Sequence, residues 1–440
     1  MKADKITFVI ILLSWFAIAT VYLSHTAYND RQHDIEGHIQ NTQIIISEHR
    51  FPTPYESFEG SQPPLYYLIN SFIEPVSLTK EELNILFDGK CPERLKKHIN
   101  YVQALSVFYG AITLVLIGWI LSFVTQSKIA QILALLFIAT TPKFVFVFST
   151  YNSDSIATMI SVAIIAICYK LHLKWSWKLA ATLLAIATVG MYTKHTVVFC
   201  MAAIFFICCR SFFVLRTPRL VELRIISIIL LSMILFLPWM IFHYYRHTGY
   251  IYAFTSSHQI RRKFSFHETL KSFRTIIKVP LLQQTPHEWD DPWSHPFPDF
   301  SATKTSDHFS FSFITSIIGE FKFTFPPEKF IWALLFVHLF TNIGGLLKAF
   351  RSNISKLATS FVLLNHFSYL FPLLTIIKSD DMVGMQDYRY ICCSWIAWAI
   401  LYSSVISSNK SYWSWMLRAL MIVGIIMHIY FLKTVTGSDI

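Results

Sequence analysis

The sequence predicts an all-α polytopic membrane protein with about eleven transmembrane helices and interfacial helices in its first outer loop. Of its 440 residues, 54% are hydrophobic and only 14% are charged. A soluble chain carries nearer a quarter charged residues, so most of this surface must face hydrocarbon. Long apolar runs recur along the chain, and a run of about 18 residues crosses a bilayer as a helix.

Eleven such runs follow one another in the sequence. They cover residues 6–27, 101–125, 129–149, 154–171, 176–193, 196–215, 224–245, 329–349, 357–378, 389–407 and 413–432. Pro142 and the segment 152–154 interrupt the third and fourth runs, so the helix ends there can shift by several residues.

The lysines and arginines of the short loops predict the orientation, because they favour the cytoplasmic side. With the N-terminus inside, the inner loops hold most of them: Lys128, Lys170, Lys174, Lys178, Arg210, Arg216, Arg219, Arg224, Lys348, Arg351, Lys356 and Lys410. Met1–Lys5 and the apolar run after it then form an uncleaved signal anchor. Two long loops, 28–100 and 246–328, are expected outside.

The first outer loop is patterned as a folded segment rather than a linker. Apolar residues recur at helical spacing from Asp34 to Ser47, which predicts an amphipathic helix at the membrane surface. Prolines then break the chain, and residues 65–73 predict a second short helix. We expect residues 1–440 to form a single membrane-embedded domain, with 28–100 as its catalytic loop and 246–328 as its second outer loop.

The net charge of +11 does not indicate nucleic acid, because the basic residues stand singly between apolar runs and form no groove-sized patch. Anionic membrane lipids are the expected partners of these cations. The seven cysteines show neither a disulfide framework nor a CxxC metal spacing.

Four short segments place polar residues on the predicted outer side. Asp34 follows the first span and precedes the turn and short helix at 62–67. Asn152–Asp154 opens a helix, the segment 312–321 combines aromatic residues with glycine, and Asp387–Tyr390 enters a late span. In this order the segments resemble the integral-membrane glycosyltransferases of superfamily C, which include dolichyl-phosphate-mannose protein mannosyltransferases and lipid A aminoarabinose transferases.

The resemblance implies an inverting enzyme that moves a hexose or pentose from a polyprenyl-phosphate donor to an acceptor hydroxyl at the outer membrane face. The acceptor could be a lipid, a polysaccharide or a protein. The expected location is a bacterial inner membrane, or the endoplasmic reticulum membrane in a eukaryote, with the N-terminus cytoplasmic. Such a transfer needs a base for the acceptor proton and cations for the growing phosphate charge. The resemblance assigns the base to Asp34.

Five further residues follow from the same chemistry. Asp154 is the second catalytic candidate, and Asn152 is expected to face the cavity beside it. Arg389 and Lys194 stand at outer ends of spans, where they are expected to hold the donor phosphate. Tyr390, next to Arg389, is assigned to the same phosphate.

Glu36, His38 and Tyr66 are candidates for the acceptor site or the cavity wall. His38 lies four residues after Asp34 on one helical face, so the two could hold a divalent metal; no other metal site or cofactor is predicted. Each candidate also has an ordinary interpretation. The aspartates could only cap helices, the cations could reach lipid phosphates, and the tyrosine could belong to an interfacial aromatic belt.

Two rival functions fit the same composition. A polytopic lipid or small-solute transporter or flippase would have no transferase activity, but such proteins place ionisable residues near mid-span, whereas here they cluster at span ends. An inactive scaffold of the same fold is the other rival, because Cys392 and Cys393 stand where related proteins have proline after the Arg-Tyr pair.

Overall fold

A computed structural model describes residues 2–26, 35–57, 59–73, 75–87, 91–214, 220–249, 313, 316–318, 328–349, 353–376, 388–407 and 412–436. These residues form helices and connecting turns, with no strand in the described ranges. The prediction of an all-α fold is confirmed.

The first helices are α1 (Lys2–His25), α2 (Ile35–Glu48), α3 (Leu65–Ser71), α4 (Lys80–Phe87), α5 (Glu93–Val124), α6 (Lys128–Thr140) and α7 (Pro142–Val147). The next are α8 (Asp154–Leu173), α9 (Trp177–Thr193), α10 (Thr196–Val214) and α11 (Leu220–Trp239). The last are α12 (Glu328–Ala349), α13 (Asn353–Ile376), α14 (Trp395–Ile406) and α15 (Tyr412–Thr436).

A helix or a pair of helices stands at each predicted span. In the described residues, six helical stretches are long and apolar enough to cross a membrane: Phe8–His25, Glu93–Val124, Asp154–Leu173, Leu220–Thr248, Tyr388–Ile406 and Tyr412–Thr434. Shorter apolar helices occupy four of the other positions. The chain is therefore a multi-pass integral membrane protein.

The third predicted span, 129–149, is wrong as a single helix. Pro142 has no amide proton and disfavours a helical residue before it, so α6 ends at Thr140 and Pro142 becomes the first residue of the short α7. A second proline, Pro238, lies inside α11, and the chain continues from there as the π-helix Met240–Tyr245 and one further turn, Arg246–Thr248.

The described contacts divide the chain into two compact units. The first comprises Met1–Arg31, Gly110–Ser149 and Lys263–Ile440. Its core is aromatic: Trp15 meets Phe144 edge to face with ring centroids 5.0 Å apart, and Phe144 lies 5.0 Å from Trp395. Gly110 allows this packing, because a Cβ there would lie 2.6 Å from the Trp15 ring.

The second unit comprises Gln32–Tyr109 and Thr150–Arg262. In it α8 packs on α9 and α10, α9 packs on α11, and α3 contacts α9. Helices α2 and α3 confirm the two helices predicted in the first loop. Helix α2 buries His38, Asn41, Thr42 and Gln43 together with three of its isoleucines, so its inner face is polar as well as apolar.

Candidate functional site

A buried ion pair joins the ends of the hairpin formed by α8 and α9. Asp154 is the first residue of α8, and Lys194 follows the last residue of α9. The Lys194 Nζ lies 2.7 Å from Asp154 Oδ1, and the two side chains are only 5% and 2% exposed. Two residues that the sequence singled out separately are therefore direct partners.

The last turn of α9 approaches its neighbours closely because residue 190 is glycine. A Cβ at Gly190 would lie 2.7 Å from Ile160 Cγ2 and 2.9 Å from Val197 Cγ1. Any larger residue would have to push these side chains away, just before the position that carries Lys194. The glycine thus supports the placement of the ammonium group against α8.

Burial makes this pair costly to keep. Removing each ion from water costs several kcal/mol, and their mutual attraction offsets that cost only with good geometry and further hydrogen bonds. An apolar pair of similar volume is often as stable, so stability alone does not explain the two charges. Buried ionisable residues in membrane proteins most often mark a functional site.

Asn152 provides the cap of α8, which leaves the Asp154 carboxylate to Lys194. The Asn152 Oδ1 accepts a hydrogen bond from the Ser155 amide at 3.1 Å, and its Nδ2 donates to the Thr150 hydroxyl. The Asn152 amide is thus engaged within the turn. A role as a helix cap alone does not account for the contact of Asp154 with Lys194.

The turn after α9 adds a histidine that the sequence analysis did not single out. His195 is buried, and its Nε2 lies 3.1 Å from the Ser61 carbonyl oxygen and 3.0 Å from the Tyr244 hydroxyl. Because a carbonyl only accepts, Nε2 carries the proton that it donates to Ser61. Burial, aided by the Lys194 charge, lowers the pKa of His195 to about 4.

The π-helix supplies a second histidine to the same loop. His243 Nε2 donates to the Gly60 carbonyl at 3.4 Å, and the His243 ring stacks on Trp239 with centroids 4.4 Å apart. His195 and His243 therefore hold consecutive carbonyls just before Pro63 and Pro64, where α3 begins. The sequence signal that could have revealed this site is Pro238, since prolines inside helices change the hydrogen-bond pattern around them.

The first loop places its candidates on α2 and α3. His38 is buried, and its Nδ1 lies 3.0 Å from the Tyr67 hydroxyl. Glu36 is half-buried on the first turn of α2. Asp34 lies outside the described residues, so its assignment as the base stays a prediction. The same holds for the metal pair of Asp34 with His38.

Tyr66 differs from its neighbour Tyr67. The Tyr66 ring is buried, and its centroid lies 6.1 Å from that of the Tyr151 ring. Its hydroxyl makes no hydrogen bond in the described part of the chain, and neither amide atom of the buried Asn70, one turn further along α3, makes one. Burial raises the pKa of Tyr66 well above its ordinary value, with a smaller contribution from the neighbouring Tyr151.

Arg389 and Tyr390 belong to the first unit, at the 3₁₀ turn Tyr388–Ser394 that precedes α14. The Arg389 Nη2 donates to the Tyr390 hydroxyl at 3.1 Å, and its guanidinium carbon lies 5.1 Å from the centroid of that ring. Tyr390 in turn stacks on Tyr369 with centroids 5.3 Å apart. The guanidinium plane is thus held by aromatic contacts. Asp387 lies outside the described residues, as do Asp380 and Asp381.

In the described ranges, no group of three or more His, Cys, Asp or Glu residues is placed to hold a metal ion. The second unit brings together Asp154 and Lys194, while Asn152 and His38 have partners of their own. Arg389 and Tyr390 form a pair of their own in the first unit.

The fold and these contacts define a helical multi-pass membrane protein with a buried ion pair at the end of a helical hairpin. No protein-family model matches the chain, and no curated protein matches it by sequence. Among solved structures, it is similar to the crystal structure of ArnT from Cupriavidus metallidurans bound to undecaprenyl phosphate, at 11% identity and a TM-score of 0.36. The match covers 89% of this chain and 77% of that chain. A TM-score of this size does not support carrying any residue role across.

Proposed function

We propose that the protein is a glycosyltransferase that moves a sugar from a polyprenyl-phosphate donor to an acceptor hydroxyl. The observation that carries the proposal is the Asp154–Lys194 pair, 2.7 Å apart and almost fully buried. A phosphate donor needs a cation held ready for it, and this ammonium is fixed by a carboxylate in a place where stability does not require either charge.

In the proposed reaction, the acceptor oxygen attacks the anomeric carbon while the bond from that carbon to the phosphate oxygen breaks. The configuration at the anomeric carbon inverts, and polyprenyl phosphate leaves with the bonding electron pair. The acceptor proton passes to a carboxylate, which we assign to Asp34 in the first loop. The leaving phosphate gains negative charge, so cations that are already in place lower the barrier.

Lys194 suits the phosphate because an ammonium group has three N–H donors. The Nζ lies 2.7 Å from Asp154 Oδ1, and the attraction of that carboxylate holds the lysine side chain in place. We assign an N–H donor of Lys194 to a phosphate oxygen of the bound substrate. Arg389, which donates to Tyr390, is a separate candidate for binding phosphate, since a guanidinium can bind two phosphate oxygens at once.

Tyr66 is assigned to a sugar or acceptor hydroxyl. Its buried hydroxyl, without a partner among the described residues, would gain a hydrogen bond only when a polar ligand or water enters. Glu36, His38 and Asn152 remain proposed wall residues of the cavity. A single glycosyltransferase domain, an outer-face site and a bacterial inner membrane or endoplasmic reticulum location are likewise parts of the proposal.

The experiment is the release of free polyprenyl phosphate from a panel of synthetic polyprenyl-phosphate sugars by the purified protein. We expect acceptor-dependent release with one donor sugar, and its loss in Asp34→Asn, Lys194→Met and Arg389→Ala. Lys96→Met is the matched control, because Lys96 is 53% exposed and pairs with the exposed Glu93. It should keep full activity.

Release by Lys194→Met at the rate of the control would contradict the assignment of the phosphate ligand. If no donor on the panel is bound or cleaved, the result favours the interpretation of the protein as a transporter. Substrate flux in sealed proteoliposomes without any glycosyl product would then establish that interpretation instead.

A further inference from the structure

Arg224 lies against two tryptophans at the opposite end of the α8–α9 hairpin. Its guanidinium carbon is 4.8 Å from the centroid of the Trp175 ring and 5.3 Å from that of the Trp177 ring. The two rings meet edge to face, 5.3 Å apart. Aromatic faces of this kind fix the plane of the guanidinium group without using its N–H donors.

Those donors are not used by the described protein. Arg224 makes no hydrogen bond and no ion pair in the described part of the chain, while its side chain is half-buried. An arginine offers five N–H donors in a rigid fork, a geometry that matches the oxygens of a phosphate. The guanidinium group of Arg224, restrained by the two rings and with its N–H donors unused in the described part of the chain, therefore suits a phosphate.

The N-terminus of α9 adds positive potential at the same place. This helix begins at Trp177 after Ser176, whose side chain makes no capping hydrogen bond, and its first turn contains no acidic residue. The first amides of the helix therefore lack intrahelical partners, and the positive end of the helix dipole is not compensated. Anions bind readily at such ends.

The remaining charged groups are mainly cationic. Lys174 and Lys178 are exposed on either side of Trp177, and Lys170 is half-buried in the last turn of α8. Among the described residues, the acid at this end is Glu222, which is 8% exposed and whose Oε1 lies 3.6 Å from His172 Nδ1. The net balance of this end favours an anion.

We propose that Arg224, Trp175, Trp177 and the first turn of α9 bind the phosphate head group of an anionic phospholipid. Helix α8, with 20 residues, is ~30 Å long, which is the hydrocarbon thickness of a bilayer. Its two ends therefore reach opposite interfaces, and this site is separate from Asp154. Trp177 is 71% exposed, as expected for a side chain that also contacts the lipid. The inference does not rest on the proposed glycosyl transfer.

The test is native mass spectrometry of the full-length protein in detergent with equal amounts of phosphatidylglycerol and phosphatidylcholine. We expect phosphatidylglycerol to be retained preferentially. Arg224→Ala should weaken its apparent affinity about tenfold, as expected for losing charge-assisted hydrogen bonds. Trp177→Leu, at an exposed position, should lower the apparent affinity for phosphatidylglycerol by a smaller factor. This variant replaces Arg224→Ala as the test if Arg224→Ala folds poorly.

Arg246→Ala is the matched control, because Arg246 is an exposed arginine on the same continuous helix at its other end. It should bind phosphatidylglycerol like the wild type. Equal retention of the two lipids, or unchanged binding in Arg224→Ala or Trp177→Leu, overturns the proposal. Displacement of the lipid by millimolar inorganic phosphate would also overturn it, by identifying a site for a free anion.

Discussion

The two ends of the α8–α9 hairpin hold charge in opposite ways. At one end Lys194 is 5% exposed and paired with Asp154 at 2.7 Å. At the other end Lys174 and Lys178 are exposed, and Arg224 contacts two tryptophan rings, with no carboxylate partner among the residues that the structure describes. The same helices thus end once in a buried, charge-balanced site and once in an open, cationic surface.

This difference distinguishes two roles of a cation that the sequence alone does not tell apart. A cation at the end of an apolar run can serve the membrane interface or a substrate, and its position in the run is the same in both cases. Burial and partner distinguish them. Exposed cations beside tryptophans fit lipid, whereas a buried ammonium fixed by a carboxylate fits a specific ligand.

The strongest way to break the comparison is to remove one partner of the buried pair. Asp154→Asn leaves the Lys194 ammonium buried without its carboxylate, which should cost about 3–5 kcal/mol of stability. Thermal unfolding in detergent measures this. Glu93→Gln, in the exposed pair with Lys96, is the control and should leave the melting temperature unchanged. Equal melting temperatures for the two variants would show that burial of the pair does not matter.

Acid should weaken the same end of the hairpin. The pKa of His195 is lowered to about 4 by burial, while an unfolded histidine has a pKa near 6.5. As pH falls from about 6.5 to 4, the unfolded chain binds a proton that the folded chain does not, so stability falls, by up to about 3 kcal/mol. Melting temperatures measured between pH 4 and 7.5 should show a shallower dependence in His195→Asn. If the melting temperature of His195→Asn depends on pH as steeply as that of the wild type, His195 is not the source of the loss of stability in acid.

Two adjacent tyrosines sharpen the comparison within the buried end. Tyr67→Phe removes the hydroxyl that lies 3.0 Å from His38 Nδ1 and should cost about 1 kcal/mol. Tyr66→Phe removes a buried hydroxyl without a partner in the described residues, so it should leave stability unchanged or raise it slightly. If Tyr66 serves substrate, that variant still loses transfer activity. A larger stability loss in Tyr66→Phe than in Tyr67→Phe would contradict this assignment.

The smallest effect is expected at the cationic end. Trp177→Leu changes a side chain that is 71% exposed, so its effect on stability should stay within about 0.5 kcal/mol. Differential scanning fluorimetry checks this against Asp154→Asn under identical conditions. A loss comparable to that of Asp154→Asn would mean that Trp177 belongs to the folded core.

Much of the fold could be predicted because hydrophobic run length reports directly on spanning helices. The apolar runs and the spacing in 34–47 and 65–73 predict helices that the structure contains. The division at Pro142 was foreseeable only as an interruption, since a proline can kink a helix or end it. Pro238 marks the place where the helical hydrogen-bond pattern changes, but the contacts of the π-helix after it could not be predicted from the local sequence.

The site could be predicted only as separate residues. Asp154 and Lys194 were each selected by position and residue type, but their pairing depends on the antiparallel hairpin and on the close approach at Gly190. His195 and His243 were missed because a histidine inside an apolar sequence gives no sign of its partner. Their partners, the carbonyls of Ser61 and Gly60, are backbone groups that any residue provides.

The most direct test of the central claim is polyprenyl phosphate release by the double variant Asp154→Asn/Lys194→Met. Because it leaves no uncompensated charge, it should melt closer to the wild type than either single variant. We nevertheless predict that the folded double variant releases at least about 100-fold less polyprenyl phosphate, as expected when a transition-state cation is lost. Release at the wild-type rate by this folded variant would contradict the claim that the pair is kept for transfer.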